Sequence, residues 1–498
     1  MAAMDVLVIG AGMAGLCTAL ALADGERRIV LLERDGPPPA EDADAVFADW
    51  KRRGVGHLRH SHAFLARLRE LIRREHPTLL EALKSAGCRE ISLTDMLTPL
   101  QRPRYRPRPE DAELTILTSR RTTLELVMRR YVERLPGVEI RSGVFVRRLL
   151  TAPGPEGVLT VSGVEADVGG ETATLQAPVV VDAGGRLSNV VEQLLEAGAP
   201  IAEESENAGI LYYTRHYRLR PGQTEPPRDR PANGDLGYLK FGVFPADNGC
   251  FSVTLAAPEV EETLRQAVVR PEVFDAVCAD LPGVAPWTDP ARSEPVGRVH
   301  GMGDLHSRWR EFAPDGRAAV LGVFAVGDSL ARSNPLYGRG CSFAAVAAFT
   351  LRDVLRTEAD PGARAVAYSR AVRRELRPFY DNMRQQDRSA IRRARAALGP
   401  RRAPSLRSRL TRSFIEDGVT VATRSDPDLL REALRGFHML EHPSAWLSRP
   451  RNLVKVLGYW ARGRRANAAA YPPKPGPRRE TLFGRLGLSA DADRLAAA

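Results

Sequence analysis

The chain begins with a feature that strongly constrains its fold, an apolar strand followed directly by a glycine-rich turn. Residues 5–9 are Asp-Val-Leu-Val-Ile, and Gly10-Ala-Gly12-Met-Ala-Gly15 follows them. In such a motif the first glycine permits a tight turn, the second lets the backbone approach a pyrophosphate, and the third allows a helix to pack on the strand. A second apolar run at residues 29–32 follows the Ala- and Leu-rich stretch 13–23. Together they predict two parallel strands joined by a crossover helix.

An acidic residue stands where the second strand would end. Glu33 lies 18 residues beyond Gly15, and Arg34 follows it. A carboxylate at about this distance accepts the ribose hydroxyls of a dinucleotide, while the unpaired N–H groups of the helix N-terminus attract its phosphates. The pattern therefore predicts a dinucleotide site, and its alternative is a chance cluster of glycines in a strand-to-helix turn. The predicted site residues here are Gly10, Gly12, Gly15, Glu33 and Arg34.

The pattern changes farther along the chain. Residues 212–219 and 238–255 alternate and are rich in Tyr, Phe, Val and Thr, which favours an antiparallel sheet. Apolar runs at 179–181 and 318–326 predict further buried strands, and the sequence becomes helical in pattern from Ser342 to about residue 398. The expected fold class is α/β: a Rossmann-like nucleotide-binding domain, an inserted antiparallel β-sheet domain and a C-terminal helical segment.

The net charge of +11 belongs to one part of the chain. Residues 391–480 carry 20 Lys and Arg against 7 Asp and Glu, whereas residues 1–390 carry 50 against 52. Such a segment is typical of a contact with phosphates, with an anionic membrane surface or with an acidic partner, or of a solvated helical appendage. We expect no nucleic-acid partner, because no nucleic-acid-binding module is present. Peripheral membrane contact and packing on the body of the protein both stay open.

The cysteines indicate the compartment. Their number is odd, and they form no Cys-x-x-Cys pair: Cys17, Cys88, Cys250, Cys278 and Cys341. A disulfide framework or a structural zinc site is therefore not expected, and a cytoplasmic location is. No stretch of 18 or more apolar residues occurs, so no transmembrane helix is predicted. The opening strand also differs from an export signal.

A second glycine-containing motif lies three hundred residues after the first. Its sequence is Phe324-Ala-Val-Gly327-Asp328, then Ser-Leu-Ala-Arg-Ser-Asn, then Pro335-Leu-Tyr-Gly338-Arg-Gly340-Cys-Ser342. This stretch closely resembles the second FAD fingerprint of flavoprotein monooxygenases. The resemblance implies that Asp328 holds a ribityl hydroxyl of FAD. It also implies that the loop leads into a helix aimed at the flavin ring, where the helix N-terminus would stabilise negative charge on the reduced flavin.

Two shorter motifs support the same resemblance. Residues 181–188, Val-Asp-Ala-Gly-Gly-Arg-Leu-Ser, are similar to the Asp-Gly motif that braces the FAD-binding fold and influences nicotinamide cofactor use, although Ala183 stands where relatives often have Gly. Residues 119–125, Ser-Arg-Arg-Thr-Thr-Leu-Glu, begin an amphipathic helix similar to one whose arginine contacts FAD. That arginine is Arg121 here. The following strand, residues 138–149, resembles one that meets the adenine near Val146.

The motifs occur in the order of the class A FAD-dependent monooxygenases, which have the aromatic-hydroxylase-like fold. The resemblance implies an FAD-binding domain at 1–90, 110–205 and 300–355, a β-rich substrate domain at 91–109 and 206–299, and a basic helical segment at 356–498. The implied FAD-binding residues are those of the first motif with Arg121, Val146, Asp182, Asp328, Pro335, Gly338, Gly340, Cys341 and Ser342.

A histidine-rich loop lies between the first two FAD motifs. Residues 56–62 are Gly-His-Leu-Arg-His-Ser-His, similar to a segment of bacterial polyether epoxidases and related polyketide hydroxylases. The resemblance makes Arg59 and His60 candidates for contact with flavin or substrate, and a loop packed by hydrogen-bonded histidines is the alternative. The spacing of the histidines lacks the helical i, i+4 placement of zinc proteases, and no metal site is predicted.

The resemblance implies that NAD(P)H reduces FAD and that O2 then forms a flavin hydroperoxide, which hydroxylates or epoxidises a lipophilic organic substrate. The aromatic-rich insert, with Tyr212, Tyr213, His216, Tyr217, Phe241, Phe244 and Phe251, suits an apolar cavity, although only about half of these side chains can face one side of a sheet. The alternative is an FAD-dependent reductase acting on prenyl or other olefinic substrates. A halogenase is disfavoured, because none of the five tryptophans lies in a Trp-x-Trp-x-Ile-Pro motif.

Overall fold

A computed structural model describes residues 5–40, 42–227, 230–398 and 405–489. The strands are β1 Val6–Ile9, β2 Ile29–Glu33, β3 Ala63–Phe64, β4 Arg89–Ile91, β5 Ile116–Thr118, β6 Val138–Ser142, β7 Val144–Pro153, β8 Leu159–Val168, β9 Glu171–Gln176, β10 Val179–Asp182, β11 Ala202–Asn207, β12 Ile210–Leu219, β13 Asn233–Asp235, β14 Lys240–Pro245, β15 Cys250–Pro258, β16 Ser293–Met302, β17 His306–Glu311, β18 Val323–Ala325 and β19 Ala331–Arg332.

The helices are α1 Met13–Leu22, α2 Ala43–Asp49, α3 Ala66–Glu75, α4 Pro77–Ser85, α5 Leu93–Met96, α6 Arg121–Val132, α7 Val190–Glu196, α8 Glu262–Ala267, α9 Pro271–Ala279, α10 Ala285–Thr288, α11 Gly340–Thr357, α12 Pro361–Leu398, α13 Leu406–Ser413, α14 Val421–Ser425, α15 Pro427–Phe437, α16 Ala445–Ser448, α17 Pro450–Ala466 and α18 Arg479–Arg485. A π-helical stretch, Phe414–Thr420, joins α13 to α14. None of the helices in the described ranges is long and apolar enough to cross a membrane.

A parallel sheet with the strand order β18-β10-β1-β2-β6 forms the centre of the nucleotide-binding part. Successive residues of a strand point to opposite faces, and the two faces are buried differently. Val6 and Val8 pack with the helices α1, α6 and α11. Leu7 and Ile9 pack with the antiparallel sheet β7-β8-β9 and helix α7. The predicted parallel βαβ start of the chain is therefore present.

Two predicted strands are interrupted by glycines. The run at 138–149 divides at Gly143, whose φ of +74° favours glycine, so that β6 joins the parallel sheet and β7 joins the antiparallel one. The run at 318–326 forms a strand only at β18. Gly322 has a φ of +76° and lies against the backbone of Val161, where a Cβ would approach the carbonyl oxygen to 2.1 Å.

The inserted antiparallel sheet has the order β13-β14-β15-β12-β16. The predicted long run at 238–255 is two strands, β14 and β15, joined by the turn at 246–249. Most of its aromatic residues face away from the nucleotide-binding part and pack with α8, α9, α10 and α18 in a separate core: Tyr213, Tyr217, Phe241 and Phe251. These aromatic side chains are therefore structural core residues.

The predicted helical region after Ser342 is two helices, α11 and α12, with a short break at 358–360. Helix α12 packs against α11 and places Tyr380 and Met383 in the core under the parallel sheet. Farther on, α15 and α17 correspond to the helical patterns predicted near 427–440 and 452–462. Residues 399–404 and 490–498 of the predicted C-terminal segment lie outside the described residues.

Candidate functional site

The glycine-rich turn between β1 and α1 has the close approaches that its sequence predicts. Gly10 has a φ of +98°, and a Cβ there would lie 2.7 Å from the carbonyl oxygen of Ala183. A Cβ on Gly15 would lie 2.0 Å from the carbonyl oxygen of Gly10. Gly12 is the N-cap of α1 and provides no side-chain cap. The first N–H groups of α1 are therefore available to an anion, as at other phosphate-binding helix N-termini.

Glu33 ends β2 and is 5% exposed. Its Oε2 accepts a hydrogen bond of 2.9 Å from the N–H of Ala11, in the glycine-rich turn. The Nη2 of Arg52 donates to the same oxygen at 3.0 Å, and Arg52 also pairs with the buried Glu125 of α6. The Glu33 carboxylate thus fixes the backbone of the glycine-rich turn at Ala11. Arg34 is half-buried next to it, with its guanidinium against Gly54.

Asp182 ends β10 beside Ile9 and is fully buried. Its Oδ1 accepts hydrogen bonds from the N–H of Gly184 at 3.0 Å and from the Ser188 hydroxyl at 2.8 Å. Its Oδ2 is enclosed by protein, and the Ser329 hydroxyl lies close enough to lower the pKa of Asp182 by hydrogen bonding. Burial has the larger effect and raises the pKa of Asp182 above its usual value. Asp182 thus braces the turn that follows β10.

Asp328 follows β18 and is half-buried. Its carboxylate accepts no hydrogen bond from any residue of the described ranges, although its backbone oxygen accepts one from Arg308 at 3.2 Å. Burial raises the pKa of Asp328, against the lowering effect of Arg332 and Arg121. Gly327 before it packs on α1, where a Cβ would lie 2.7 Å from that of Ala14. The second motif therefore lies directly beside the first.

The loop at 333–338 is held by Asn334. Its Oδ1 accepts hydrogen bonds from the Tyr212 hydroxyl at 2.5 Å and from the N–H of Leu336 at 3.1 Å, and its Nδ2 donates to Asp387 of α12 at 2.9 Å. The hydroxyl of Tyr337 donates to the same Asp387 oxygen at 2.9 Å. Pro335 and Gly338 thus lie in a loop that is hydrogen-bonded to both the inserted sheet and α12.

Helix α11 begins at Gly340, immediately after this loop, and no side chain caps its N-terminus. The hydroxyl of Ser342 is buried and has no partner in the described part of the chain. Burial raises the pKa of the Cys341 thiol to about 11, so Cys341 is a neutral thiol at physiological pH. The uncapped first turn offers N–H groups and a partial positive charge.

Arg121 is the first residue of α6 and is 6% exposed. Its Nε donates to Glu125 at 3.0 Å, and its Nη1 contacts His57. Its charge acts on both Cys341 and Asp328, which places it near the second glycine-containing motif. Val146 lies in β7, buried opposite Ala166 and packed with the strands of the parallel sheet.

The histidine-rich loop packs on the inserted sheet. His60 Nδ1 lies 3.0 Å from the hydroxyl of Thr214 in β12, and the Ser61 hydroxyl lies 2.7 Å from those of Ser252 and Thr254 in β15. Arg59 donates to the carbonyl oxygens of Phe47 and Ala48 at 2.7 and 2.9 Å. Burial lowers the pKa of His60 to about 4, so its imidazole is neutral near pH 7.

These contacts are typical of a loop packed by hydrogen-bonded histidines, which is the alternative that the sequence left open. No cluster of His, Cys, Asp or Glu that could hold a metal ion occurs in the described ranges. The side of the inserted sheet that faces this loop is polar, because Thr214, His216, Ser252 and Thr254 lie there.

The predicted cofactor residues come together although they lie up to three hundred residues apart. The carboxyl ends of β1, β2, β10 and β18 carry Gly10, Glu33, Asp182 and Asp328 at one edge of the parallel sheet. Open α/β sheets bind their ligands at this edge. The uncapped N-terminus of α1 fits a phosphate group, and the Asp328 carboxylate, which accepts no hydrogen bond from the described residues, fits a hydroxyl group, and FAD has both.

Sequence reasoning did not identify Asn334, Asp387 or Arg52 as site residues. Asn334 lies within the second glycine-containing motif, and its place before a proline in a loop is a signal for a capping side chain. Asp387 has no local signal, because it lies in the middle of a 38-residue helix. Arg52 becomes significant only when β2 and α6 place two buried carboxylates beside it.

Comparisons with known proteins agree with this site. Residues 5–39 match the family model of an FAD binding domain. Protein Rv3254 of Mycobacterium tuberculosis is 27% identical over 406 residues, which are 75% of this chain and 78% of that protein.

Solved structures share the fold at low sequence identity. The p-nitrophenol 4-monooxygenase PnpA of Pseudomonas putida has a TM-score of 0.58 at 17% identity, covering 88% of this chain and 98% of that one. The anhydrotetracycline hydroxylase OxyS of Streptomyces rimosus has a TM-score of 0.51 at 19% identity, covering 92% and 76%. The Diels-Alderase PyrE3 has a TM-score of 0.56 at 17% identity, covering 88% and 80%.

The fold is shared with the monooxygenase PnpA and the hydroxylase OxyS, in agreement with the fold that the resemblance of the motifs predicted. The match of residues 5–39 to an FAD binding domain supports FAD as the cofactor.

Proposed function

We propose that the protein is an FAD-dependent monooxygenase that transfers one oxygen atom of O2 to an organic substrate, with NAD(P)H as the reductant. The overall reaction converts substrate, O2, NAD(P)H and a proton into oxygenated substrate, water and NAD(P)+. The observation that carries the proposal is the edge of the parallel sheet, where the uncapped N-terminus of α1 lies beside the second motif and the Asp328 carboxylate accepts no hydrogen bond from the described residues. When bound, FAD supplies the electron transfer and the activation of O2.

The residues at that edge have distinct proposed roles. The glycine-rich turn at Gly10, Gly12 and Gly15 receives the pyrophosphate at the N-terminus of α1. Glu33 accepts the ribose hydroxyls, with Arg34 beside it, and Asp328 accepts a ribityl hydroxyl. The remaining proposed contacts are Val146 at the adenine, Arg121 at the FAD, and Pro335, Gly338, Gly340, Cys341 and Ser342 at the flavin ring, and Asp182 has the proposed role of bracing the fold around the cofactor.

The helix α11 has the proposed electrostatic role at the flavin. Its uncapped first turn at Gly340 supplies N–H groups where the pyrimidine side of the ring would lie. A helix N-terminus stabilises nearby negative charge, and reduction places such charge on this side of a flavin. Neutral Cys341 adds no negative charge there at pH 7, because the pKa of its thiol is raised to about 11 by burial.

The substrate is proposed to bind between the FAD site and the inserted sheet. Arg59 and His60 stay candidates for contact with flavin or substrate, and the neutral imidazole of His60 could then exchange hydrogen bonds without carrying charge. The structural neighbours PnpA and OxyS act, by name, on p-nitrophenol and anhydrotetracycline. We infer hydroxylation or epoxidation of a lipophilic organic substrate, which agrees with these aromatic and polyketide examples.

Oxygen-18 labelling tests the proposal. Purified holoprotein is supplied with NADH or NADPH, 18O2 and a panel of polyketide, terpenoid and aromatic compounds, and products are analysed by mass spectrometry. The expected product carries one atom of oxygen-18 and forms in proportion to the NAD(P)H oxidised. Parallel reactions in H2(18)O exclude incorporation from water, and catalase excludes oxidation by leaked peroxide.

Anaerobic reactions provide the contrary outcome. Undiminished turnover of an olefinic substrate without O2 would favour the reductase alternative. Conversion without O2 or NAD(P)H would instead favour a redox-neutral cycloaddition, the class of reaction that the name of PyrE3 indicates. A colourless protein that fails to take up added FAD would contradict both the monooxygenase and the reductase hypotheses.

We also propose a cytoplasmic protein that contacts anionic membranes through its C-terminal segment. The cysteines Cys17, Cys88, Cys250, Cys278 and Cys341 form no disulfide, which supports a reducing compartment. Helix α13 has no buried residue, and its Leu406 and Leu410 are 71% and 52% exposed among arginines. Exposed leucines beside basic residues are typical of interfacial helices.

Sedimentation with liposomes tests the membrane contact. The wild type should sediment with phosphatidylglycerol vesicles at low salt, less at high salt, and little with phosphatidylcholine vesicles. The double variant Leu406→Ser and Leu410→Ser should lose this binding. The control Leu195→Ser removes a leucine that is 45% exposed on α7 and should behave as the wild type. Equal sedimentation of all three proteins would contradict the proposal.

A further inference from the structure

Arg339 is a buried cation directly before helix α11. It follows the loop that contains Pro335 and Gly338 and precedes Gly340, the first residue of the helix. Only 2% of its surface is exposed. A side chain that is charged in water has therefore been placed inside the protein, next to the segment that is proposed to receive the flavin ring.

The partners of Arg339 are neutral. Its Nη1 donates to the carbonyl oxygen of Phe379 at 2.6 Å, and its Nη2 donates to Oδ1 of Asn382 at 3.3 Å. The guanidinium lies over the rings of Tyr337 and Phe379, 5.2 and 5.6 Å from their centroids. Its Nε has no partner, and no carboxylate in the described ranges forms an ion pair with it.

A buried charge without a counter-ion is costly and is usually paired or coordinated. Burial lowers the pKa of Arg339 to about 10, so the side chain remains protonated near pH 7. The nearby carboxylate is Asp387, whose own pKa burial raises to about 6. Asp387 acts on Arg339 through space and binds Tyr337 and Asn334 instead.

The position of this charge matters for the flavin. The guanidinium and the uncapped N-terminus of α11 lie on the same short segment and carry the same sign of charge. In a buried environment the interaction between charges is stronger than in water at the same distance, because the effective dielectric constant is low. Negative charge that develops at the start of α11 would therefore be stabilised by both.

We propose that Arg339 is a positioning residue whose positive charge stabilises the reduced, anionic form of the bound flavin, and that Asp387 opposes it. This inference rests on the proposed placement of the flavin ring at the start of α11. Because its own hydrogen bonds go to α12, Arg339 acts on the flavin through the electrostatic field of its charge and not by direct contact.

Sulfite titration of the holoprotein measures this field directly. Sulfite adds to the flavin and leaves negative charge on its pyrimidine side, and the bleaching of the flavin absorbance reports its dissociation constant. The variants are Arg339→Gln, which removes the charge, Arg339→Lys, which keeps it, and Asp387→Asn, which removes the opposing charge while keeping the Oδ1 acceptor. The control Arg370→Gln removes an exposed arginine of α12.

Arg339→Gln is expected to weaken sulfite binding at least tenfold and to lower the flavin midpoint potential by about 30 mV, the two-electron equivalent of a tenfold change. Arg339→Lys should stay within about threefold of the wild type, and Arg370→Gln should match it. Asp387→Asn should tighten sulfite binding. Opposite signs for the two charge removals are not expected from a purely structural role.

Unchanged sulfite affinity in flavin-loaded Arg339→Gln, or weaker binding in Asp387→Asn, would overturn the inference. If Arg339→Gln does not retain flavin, the Asp387→Asn and Arg339→Lys titrations still decide the matter. A wild-type protein that takes up no FAD would instead refute the proposed function. If the wild type binds sulfite as expected but oxygenates none of the substrates tested, the proposed function fails while this inference still holds.

Discussion

Two buried carboxylates show how one residue type takes different roles at the site. Asp328 and Asp387 both have pKa values raised by burial. Asp328 accepts no hydrogen bond in the described ranges, whereas Asp387 accepts two, from Asn334 and Tyr337. Asp328 is therefore available to a ligand, whereas Asp387 helps to hold the loop at 333–338 in place.

Asp328→Ala should weaken FAD binding, because a charge-assisted hydrogen bond to a ribityl hydroxyl is lost. Such a bond contributes roughly 1.5–3 kcal/mol, which is ~10–150-fold in affinity. Fluorescence titration of the apoprotein with FAD measures the change. Asp353→Ala, at an exposed carboxylate of α11, is the control and should bind FAD normally. An unchanged affinity in Asp328→Ala would show that this aspartate does not bind the cofactor.

Asp387 makes stability depend on pH in a defined direction. Burial raises the pKa of Asp387 in the folded state to about 6, above its ordinary value of 3.8, so the folded protein binds more protons than the unfolded chain between these two pH values. Its contribution to stability is therefore present at low pH and is lost as the pH rises through about 6. Asp387→Asn should remove this part of the pH dependence while keeping the Oδ1 acceptor.

Urea unfolding at pH 5 and pH 8 checks this prediction. Asp387→Asn should be at least as stable as the wild type at pH 8, whereas Asp387→Ala should lose about 1–3 kcal/mol because the donors of Asn334 and Tyr337 become unpaired. A wild type whose advantage over Asp387→Asn grows from pH 5 to pH 8 would contradict the raised pKa.

At the scale of elements, the start of α6 is fixed by a residue in a turn of the inserted antiparallel sheet. Asp247, in the turn between β14 and β15, accepts hydrogen bonds from the backbone N–H of Arg120 at 2.7 Å and from its Nη2 at 2.6 Å. The hydroxyl of Thr123 donates to the same carboxylate at 2.9 Å. Because Arg121 comes next in the chain, this contact positions the arginine that is proposed to contact FAD.

Asp247→Asn should destabilise the protein by about 1.5–3 kcal/mol, because the buried Arg120 would lose its charged hydrogen-bond acceptor and keep only the more exposed Asp44 as its counter-ion. The pKa of Asp247 is lowered by Arg120 against the effect of burial, so the wild-type contribution is lost as the pH falls through that lowered value. Chemical unfolding with FAD retention measures both effects. Glu165→Gln, in the exposed pair with Arg148, is the control and should have little effect.

At the scale of the whole molecule, the basic C-terminal segment is docked on the body while parts of it stay exposed. Arg431 of α15 pairs with the buried Asp111, with 2.9 Å between Nη2 and Oδ2. Gln101 donates to the carbonyl oxygen of Thr423 at 2.6 Å. Helix α13, by contrast, has no buried residue. The packing and the membrane interpretations of the sequence thus concern different helices of the segment.

Arg431→Met should loosen the docking of the segment, because removing one partner of a buried ion pair costs about 3–5 kcal/mol. Limited proteolysis with chymotrypsin should then cleave the C-terminal segment before the body. Arg435→Met, which removes an arginine paired with the 40% exposed side chain of Glu113, should increase cleavage less. Equal resistance of Arg431→Met and the wild type would contradict the proposed docking.

The FAD site was the most predictable part of the molecule because its requirements are local. The turn at Gly10 needs a positive φ and a close approach, and these needs appear in the sequence as glycines at fixed spacing. Glu33 is marked as the last residue of its strand, and Asp328 by the strand that precedes it. The motifs therefore predicted an FAD-binding fold, which the structural neighbours and the match to an FAD binding domain confirmed.

Only the tertiary structure decided which distant groups surround those motifs. Asp387 reaches Asn334 across 53 positions, and Asp247 reaches Arg120 across 127. Period-two alternation left the direction of the aromatic side chains in the inserted sheet undetermined, and packing by α8 to α10 turned most of them away from the FAD-binding part. Arg339 became notable only after α12 buried it without a counter-ion. Local sequence encodes backbone geometry, whereas burial and charge pairing arise when separate elements pack together.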